Sequence, residues 1–204
     1  VLIAGQITGL SPISSLPASA SVSVAVWSDS RLDSDSGCSN ESRNLRTIIG
    51  GTDGYTVDQS ITTLDDVNLE TKLNSNAFFF VPDIEDPAVS TVLPNSAKPV
   101  IADWVEDGGV LVQTGTFGSK DVDFLNQIFF AGESKLKNVD GRSWAKNANV
   151  TGTEFAKNIG STTPPASLSN LSATDAVDGR SVPAENNFTA MWGTEDNATV
   201  STMT

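Results

Sequence analysis

The feature that most constrains the fold is an alternation of strand-like and helix-like segments between residues 21 and 130. Four segments predict β-strands because they are rich in β-branched or aromatic residues, and four predict helices because apolar residues recur every three or four positions. In chain order the segments are SVSVAVWSD, ESRNLRTIIGG, YTVDQSIT, LDDVNLETKLN, AFFFVP, PNSAKPVIADWVEDGG, VLVQTG and SKDVDFLNQIFF. This order predicts right-handed crossovers and an α/β domain with a mostly parallel sheet and helices on both faces.

Each predicted helix has an apolar stripe that is expected to face the sheet. Asn95 or Ser96 is predicted as the N-cap of the third helix and Ser119 as that of the fourth, because both positions precede an apolar stripe. The residues predicted to face inward are Leu45, Ile48 and Ile49 in the first helix, Leu64, Val67, Leu69 and Leu73 in the second, Val100, Ile101, Trp104 and Val105 in the third, and Val122, Leu125, Ile128 and Phe129 in the fourth.

Composition divides the chain into three parts. Residues 1–20 are rich in Ser and Pro and are interpreted as a linker or an added edge strand, and residues 21–130 as the α/β core. Residues 131–204 are rich in Ser, Thr, Asn and Gly and include short candidate strands such as NFTAMW. They predict a hairpin- and loop-rich extension of the same domain. Both ends look like cuts in a longer chain, so we expect the extension to be truncated.

The net charge of the chain is strongly negative. The 12 basic and 25 acidic residues give a formal charge of −13, which repels nucleic acid and anionic membranes, so neither is an expected partner. No apolar run approaches the length of a membrane span. The chain contains no His, and its single Cys, Cys38, excludes an internal disulfide and a CxxC metal site. Histidine-dependent triads and His-ligated metals are therefore excluded within this chain.

Several segments resemble the class I glutamine amidotransferase-like group. The resemblance rests on SVSVAVWSD as an opening strand, NSNAFFFVPD as a central strand, and IADWVEDGGVLVQTG as a helix that ends at two glycines before a strand. The late segment ENNFTAMWGTEDNATV is similar to the hairpin before the last core strand in some extracellular members. The resemblance covers residues 21–130 and implies a flavodoxin-like three-layer sandwich.

The departures from that group bear on catalysis. Catalytic members carry a Cys nucleophile at the turn that follows the strand matched here by VLVQTG, and a His and an acidic residue come later in the chain. Here the turn reads Gly115-Thr116-Phe117-Gly118, and Cys38 follows the first strand instead. Because no His exists to activate a nucleophile, no residue is predicted to be catalytic.

Four polar residues are candidates for ligand binding. Asp29 and Asp83 each follow a predicted core strand, and Thr116 and Ser119 belong to the glycine-rich turn. The carboxyl ends of parallel strands form the crevice in which open α/β sheets usually bind ligands. Paired carboxylates at such a place could exchange protons with a substrate if one of them were desolvated. The alternative interpretation is that Asp29 and Asp83 cap helices or turns.

The loop DSDSGCSNE contains candidate metal ligands. Asp33, Asp35, Asn40 and Glu41 offer oxygen atoms of the kind that Ca²⁺ prefers. An EF-hand loop has an oxygen ligand at its fifth position and glycine at its sixth, whereas Gly37 stands here at the fifth. The alternative is a solvated acidic loop, and no other cofactor is expected.

Five Asn-x-Ser/Thr sequences are candidate glycosylation sites, at Asn40, Asn149, Asn170, Asn187 and Asn197. Four of them lie in the loop-rich C-terminal part, where an extracellular eukaryotic protein carries glycans. We therefore expect an extracellular or cell-surface location.

Two classes of function remain open. The first is a non-catalytic interaction or structural domain that forms a module or subunit of a larger assembly, with the other protein subunits or domains of that assembly as partners. The second is a hydrolase-like or carbohydrate-binding enzyme that uses the crevice at the carboxyl ends of the strands. A ligand or metal in the crevice would favour the second class, and a large subunit contact would favour the first.

Overall fold

A computed structural model describes residues 2–4, 21–32, 40–114, 118–140, 143–146, 166–169, 175–184, 190–193 and 200–203. The chain forms two compact units, which are residues 4–115 and residues 1–3 with 116–204. We name the first the parallel unit and the second the antiparallel unit, after the strand pairing that dominates each of them.

The parallel unit is an α/β structure, as predicted. β1 (Leu2–Ala4) belongs to the antiparallel unit except for Ala4. The elements of the parallel unit in chain order are β2 (Val22–Val26), α1 (Glu41–Gly50), β3 (Tyr55–Asp58), α2 (Leu69–Asn74), β4 (Phe78–Val81), α3 (Val89–Val92), α4 (Ala97–Glu106) and β5 (Val110–Gln113). The sheet has the strand order β3-β2-β4-β5, and every neighbouring pair is parallel. Each of the four strands lies within a segment that the sequence pattern predicts as a strand.

Burial of apolar side chains holds this sheet and its helices together. Trp27, Phe79 and Leu111 are completely buried, and they lie on or directly after three neighbouring strands. The prediction for α4 is confirmed in part, because Ser96 precedes the helix and Ile101, Trp104 and Val105 are buried. The Ser96 side chain makes no capping hydrogen bond, and Val100 is only half-buried. Apolar burial of this kind contributes about 25 cal/mol per Å², so it provides the main stabilisation of the unit.

The second predicted helix is shorter than its apolar pattern indicates. Val67 is 96% exposed, so its predicted inward orientation is wrong, although Leu64 is buried. The Asp66 side chain accepts a hydrogen bond from the backbone amide of Asn68 at 2.8 Å, and its carbonyl accepts one from Leu69 at 3.0 Å. These local bonds form a turn that competes with helical hydrogen bonding, and α2 begins only after it.

The first helix also differs from its prediction. Ile48 is 66% exposed, Leu45 and Ile49 are half-buried, and the buried residue of the helix is Ser42. The helix packs on β2 and β3 with a partly polar face, because Ser42 and Arg46 bond to groups at the end of β2. The predicted inward position of Ile48 is therefore wrong.

Within its described residues, the antiparallel unit contains one α-helix, a short 3-10 helix at Gly179–Ser181 and a set of short strands. Its elements are α5 (Lys120–Phe129), β6 (Asn138–Asp140), β7 (Ser143–Lys146), β8 (Ser167–Ser169), β9 (Asp175–Val177), β10 (Ala190–Gly193) and β11 (Val200–Met203). Antiparallel pairs join β6 to β9, β9 to β11, β11 to β10, β10 to β7 and β7 to β8. The pairing of β1 with β11 is parallel, and β10 overlaps the segment NFTAMW.

A polar residue precedes α5, and another within the helix anchors the loop that follows it. Ser119 occupies the predicted N-cap position with a left-handed φ of 67°, although its side chain makes no capping hydrogen bond. Asn126 is buried within α5, and its side chain exchanges two hydrogen bonds with the backbone of Leu136, at 2.9 and 3.0 Å. These two bonds fix the segment between α5 and β6 against the helix.

Among the described residues, no helix has both the length and the apolar character that crossing a membrane requires.

Candidate functional site at the carboxyl ends of the parallel strands

The carboxyl ends of the parallel strands are held in register by backbone hydrogen bonds that continue beyond the strands. Trp27 donates to Phe80 at 2.9 Å, and Thr114 donates to Val81 at 2.8 Å. The segments that follow β2, β4 and β5 therefore leave the sheet at one edge. In open α/β sheets this edge is the usual place for a ligand site, so we consider its side chains in turn.

Asp29, which follows β2, is engaged by a neighbouring arginine. Its side chain is 4% exposed, and Arg31 donates to it from Nε at 2.9 and 3.1 Å and from the backbone amide at 3.0 Å. Arg31 also donates from Nη1 to the carbonyl of Thr91 in α3 at 2.9 Å. Burial raises the pKa of Asp29, but the hydrogen bonds and charge of Arg31 outweigh burial and lower that pKa below its ordinary value.

The Asp29–Arg31 pair therefore has a clear structural role. Asp29 orients the guanidinium group, and the guanidinium group connects the turn after β2 to α3. This geometry corresponds to the alternative interpretation in which Asp29 caps a turn. The hypothesis that Asp29 binds a ligand stays a prediction, and a ligand would have to compete with Arg31 for the carboxylate.

Asp83, which follows β4, lies in a group of three carboxylates. One carboxylate oxygen each of Glu41, Asp83 and Glu85 lies within 4.8 Å of the other two. Glu41 is the first residue of α1, and its Oε2 accepts a hydrogen bond from the backbone amide of Asp83 at 3.0 Å. Asp83 is 8% exposed, whereas the other two are half-buried. We refer to Glu41, Asp83 and Glu85 as the carboxylate group.

Three carboxylates at this separation repel one another when all are ionised. Closely spaced carboxylate oxygens are ligands of the kind that a divalent cation prefers, and a bound cation would reduce this repulsion. Among the predicted calcium ligands, Glu41 belongs to this group, and Asn40 immediately precedes it with a left-handed φ of 101°. Asp33 and Asp35 lie outside the described residues, so the predicted calcium site stays a prediction.

Helix α1 is fixed to the end of β2 by its polar face. Ser42 donates to the carbonyl of Trp27 at 3.1 Å, and Arg46 donates from Nη1 to the hydroxyl of Ser28 at 2.9 Å. The Ser28 hydroxyl in turn donates to the carbonyl of Val26 at 2.9 Å. These contacts place Glu41 beside the segment after β4, and they leave Ile48 exposed.

A groove of about 250 Å³ lies between α1 and the end of β5. It is lined by Glu41, Asn44, Leu45, Ile48 and Thr114. Leu45 and Ile48 are three positions apart, so they lie on the same side of the helix and form the apolar part of the groove. Glu41 contributes to both the groove and the carboxylate group, which therefore adjoin each other.

The remaining predicted site residues lie at the start of α1, in the antiparallel unit or outside the described residues. Ser119 belongs to the antiparallel unit, where it begins α5. Asn40 is half-buried at the start of α1. The candidates that lie outside the described residues are Thr116 of the glycine-rich turn and the glycosylation candidates Asn149, Asn170, Asn187 and Asn197.

Sequence reasoning missed two participants at this edge. The first is Arg31, for which a signal existed, since an arginine two residues after an aspartate in a turn can fold back onto it. The second is Glu85. It lies two residues after Asp83 in the sequence, but this spacing does not predict that either residue lies close to Glu41. The apolar pattern of α1 predicts Leu45 and Ile48 as core residues, so no sequence signal indicates the groove that they line.

Comparison with known proteins found no protein-family model, curated protein or solved structure that matches the chain.

Proposed function

We propose that this chain is a non-catalytic interaction or structural domain that acts outside the cell or at its surface as part of a larger assembly. Its partners are other protein subunits or domains of that assembly. The observation that carries the proposal is the groove on α1, in which Ile48 remains 66% exposed beside Leu45. Apolar surface surrounded by polar residues is typical of protein interaction sites.

The distribution of polar contacts around α1 supports the proposal. The helix is attached to the sheet through Ser42 and Arg46, so its attachment does not require Ile48. Contact of the Ile48 side chain with water is unfavourable. A partner that covers this side chain would gain about 25 cal/mol for each Å² of apolar surface removed from water. Glu41 and Asn44 at the groove would supply hydrogen-bond acceptors and donors for the partner.

The proposal includes a finer description of the fold. β3 and β4 lie on opposite sides of β2 in the sheet. The connection from β2 through α1 to β3 and the connection from β3 through α2 to β4 therefore run in opposite directions across the sheet. Right-handed crossovers in opposite directions place their helices on opposite faces. The parallel unit would then be a flavodoxin-like three-layer sandwich, in agreement with the resemblance to the glutamine amidotransferase-like group, and the antiparallel unit would be its extension.

A photo-crosslinking experiment tests the interaction. A benzophenone side chain is placed at position 48, or at position 67 as a control, because Val67 is 96% exposed on a loop outside the groove. We expect a protein of the native source to crosslink through position 48 and not through position 67. The purified partner should then bind Ile48→Ser about tenfold more weakly than the wild type and Val67→Ser unchanged. Equal labelling through both positions, or unaltered binding of Ile48→Ser, contradicts the proposal.

The proposed location is tested separately. The native protein is analysed by intact mass and peptide mapping at Asn149, Asn170, Asn187 and Asn197. We expect hexose-bearing peptides at two or more of these residues. Recovery of all four as unmodified peptides from native material would exclude the glycosylated extracellular form.

A second candidate function is favoured by the carboxylate group alone. Glu41, Asp83 and Glu85 provide closely spaced carboxylates at the edge where α/β enzymes bind ligands, as a hydrolase-like or carbohydrate-binding enzyme would require. Hydrolysis of a panel of glycosides, lost in Asp83→Asn and retained in the exposed variant Asp103→Asn, would establish this function in place of the first.

A further inference from the structure

The chain contains four Asp-Gly sequences, at residues 53–54, 107–108, 140–141 and 178–179. An Asp-Gly sequence can isomerise spontaneously, because glycine has no side chain to hinder attack of its amide nitrogen on the aspartate side chain. The structure fully describes three of the four pairs, and it gives them different environments. The comparison below concerns those three.

We propose that Asp53-Gly54 is a site of spontaneous isoaspartate formation, favoured over Asp107-Gly108 and Asp178-Gly179 by the folded structure. Asp53 and Gly54 are the two central residues of a β-turn, which is closed by a hydrogen bond of 3.3 Å from the amide of Tyr55 to the carbonyl of Thr52. Both central residues are exposed.

The turn leaves the reacting atoms accessible. The donor that closes the turn is the amide of Tyr55, so the amide of Gly54 is not used by the turn. Within the described residues, no hydrogen bond or ion pair engages the Asp53 carboxylate. Gly54 has a φ of +85°, and a Cβ built on it would meet no atom within 4 Å, so the space around the peptide is open. The carbonyl of Gly54 accepts a hydrogen bond from Val22 at 2.8 Å and anchors the turn to β2.

The two other pairs are protected in different ways. At the end of α4, the amide of Gly108 donates to the carbonyl of Val105 at 3.1 Å, so the attacking nitrogen is already engaged. At the second pair, the Asp178 carboxylate accepts hydrogen bonds from Arg180 at 2.8, 3.0 and 3.1 Å. These bonds hold the pKa of Asp178 below its ordinary value and keep the side chain in its ionised, less electrophilic form.

The reaction is a dehydration followed by a hydration. The nitrogen of Gly54 forms a bond to Cγ of Asp53, the Cγ–O bond of the protonated carboxyl breaks, and the oxygen leaves as water with two protons. Water then opens the resulting succinimide, and attack at the main-chain carbonyl gives isoaspartate. The product has the same composition as the starting chain, and no oxidant or reductant takes part. It carries one extra backbone carbon in the turn that leads into β3.

The test is an ageing experiment on the full chain at neutral pH and body temperature for several weeks. Isoaspartate is measured in each proteolytic peptide by enzymatic methylation and by electron-transfer fragmentation. We expect isoaspartate at position 53 to exceed that at 107 and 178 by roughly fivefold, which is the factor that one hydrogen bond of ordinary net strength represents. An equal or larger amount at position 107 or 178 overturns the proposal.

Two controls separate the folded structure from the local sequence. In urea the three sites should react at similar rates, because the turn, the helix end and the ion pair are all lost. In the folded chain Arg180→Gln should raise isoaspartate at position 178 toward the level at 53, and Asp53→Glu should abolish the signal at position 53. A persistent excess at 53 in urea, or no change at 178 in Arg180→Gln, contradicts the structural basis of the proposal.

Discussion

At the scale of single residues, glycine is required at position 109 by the tryptophan side chain of the preceding helix α4. A Cβ at this position would overlap the indole ring of Trp104, which is 6% exposed. The amide of Gly109 also donates to the carbonyl of Trp104 at 3.0 Å at the end of α4. Because glycine has no side chain, the backbone at position 109 can lie against the Trp104 indole ring, and β5 can begin at the next residue.

We expect Gly109→Ala to destabilise the parallel unit by about 1–3 kcal/mol, the usual cost of overpacking a filled core. The measurement is urea denaturation followed by tryptophan fluorescence. Gly50→Ala is the matched control, because a Cβ at that position would lie 3.6 Å from Cγ2 of Val57 in ordinary contact. An alanine at 109 that is tolerated as well as the alanine at 50 would contradict this account of Gly109.

Arg31 gives a second prediction at the residue scale. Removal of its guanidinium group in Arg31→Gln leaves the carboxylate of Asp29 buried and incompletely paired. We expect a loss of about 1–2 kcal/mol in unfolding free energy, which is reduced from the value for a buried pair because Arg31 is 48% exposed. Arg43→Gln, which replaces an exposed arginine on α1, should leave the unfolding free energy unchanged. Equal effects of the two substitutions would show that the Asp29–Arg31 pair contributes nothing.

At the scale of elements, a buried asparagine connects three segments of the parallel unit. Asn76 is 7% exposed, its Oδ1 accepts from the Ser23 hydroxyl in β2 at 2.7 Å, and its Nδ2 donates to Asp58 in β3 at 2.8 Å. The same Nδ2 donates to the carbonyl of Lys72 in α2 at 2.8 Å. The edge strand β3 is therefore attached to its neighbours by side chains as well as by its backbone ladder.

Asn76→Ala is expected to cost about 2–3 kcal/mol, because it leaves the Asp58 carboxylate and the Ser23 hydroxyl without this partner in a partly buried place. Amide hydrogen exchange should increase most in β3, which among the described residues pairs with β2 alone. Asn74→Ala, at the exposed end of α2, is the control and should change neither stability nor exchange in β3. Uniform acceleration of exchange across all four strands would contradict a local role for Asn76.

At the scale of the whole molecule, acid is expected to destabilise the fold through a few partly buried carboxylates. For Asp58, burial raises the pKa, but hydrogen bonds from Asn76 and Ser60 and the charge of Lys72 lower it below the ordinary value of 3.8. Asp29 has a lowered pKa for the comparable reason given above. A group whose pKa is lower in the folded state contributes stability above the ordinary pKa and loses it as the pH falls through the folded value.

We therefore expect the destabilisation caused by Asp58→Asn to be largest at neutral pH and to shrink as the pH falls below 3.8. The measurement is the free energy of unfolding in urea at a series of pH values. Ser23→Ala is the control, because it removes a neutral member of the same network and its effect should change less with pH. An effect of Asp58→Asn that is constant across the range would contradict the lowered pKa.

The elements of this protein could largely be predicted from its sequence, because apolar periodicity and turn residues are local properties. The four parallel strands and helices α1, α4 and α5 lie where their patterns predict them. The pattern overestimated α2, because the side chain of Asp66 bonds to its own backbone neighbours and forms a turn in place of helix. It also missed α3, since Val89–Val92 spans only four residues and shows too little periodicity to indicate a helix.

The sequence by itself determined the α/β class, the absence of histidine chemistry and the places where strands end. Only the tertiary structure decided which polar groups at those ends meet. Glu41 reaches Asp83 and Glu85 because α1 and β4 both adjoin β2, a proximity that no local pattern encodes. The tertiary structure likewise left Ile48 exposed, because α1 is attached to the sheet through polar side chains. Local sequence sets the preference of each segment, whereas contacts between segments far apart in the chain depend on how the parallel strands are ordered.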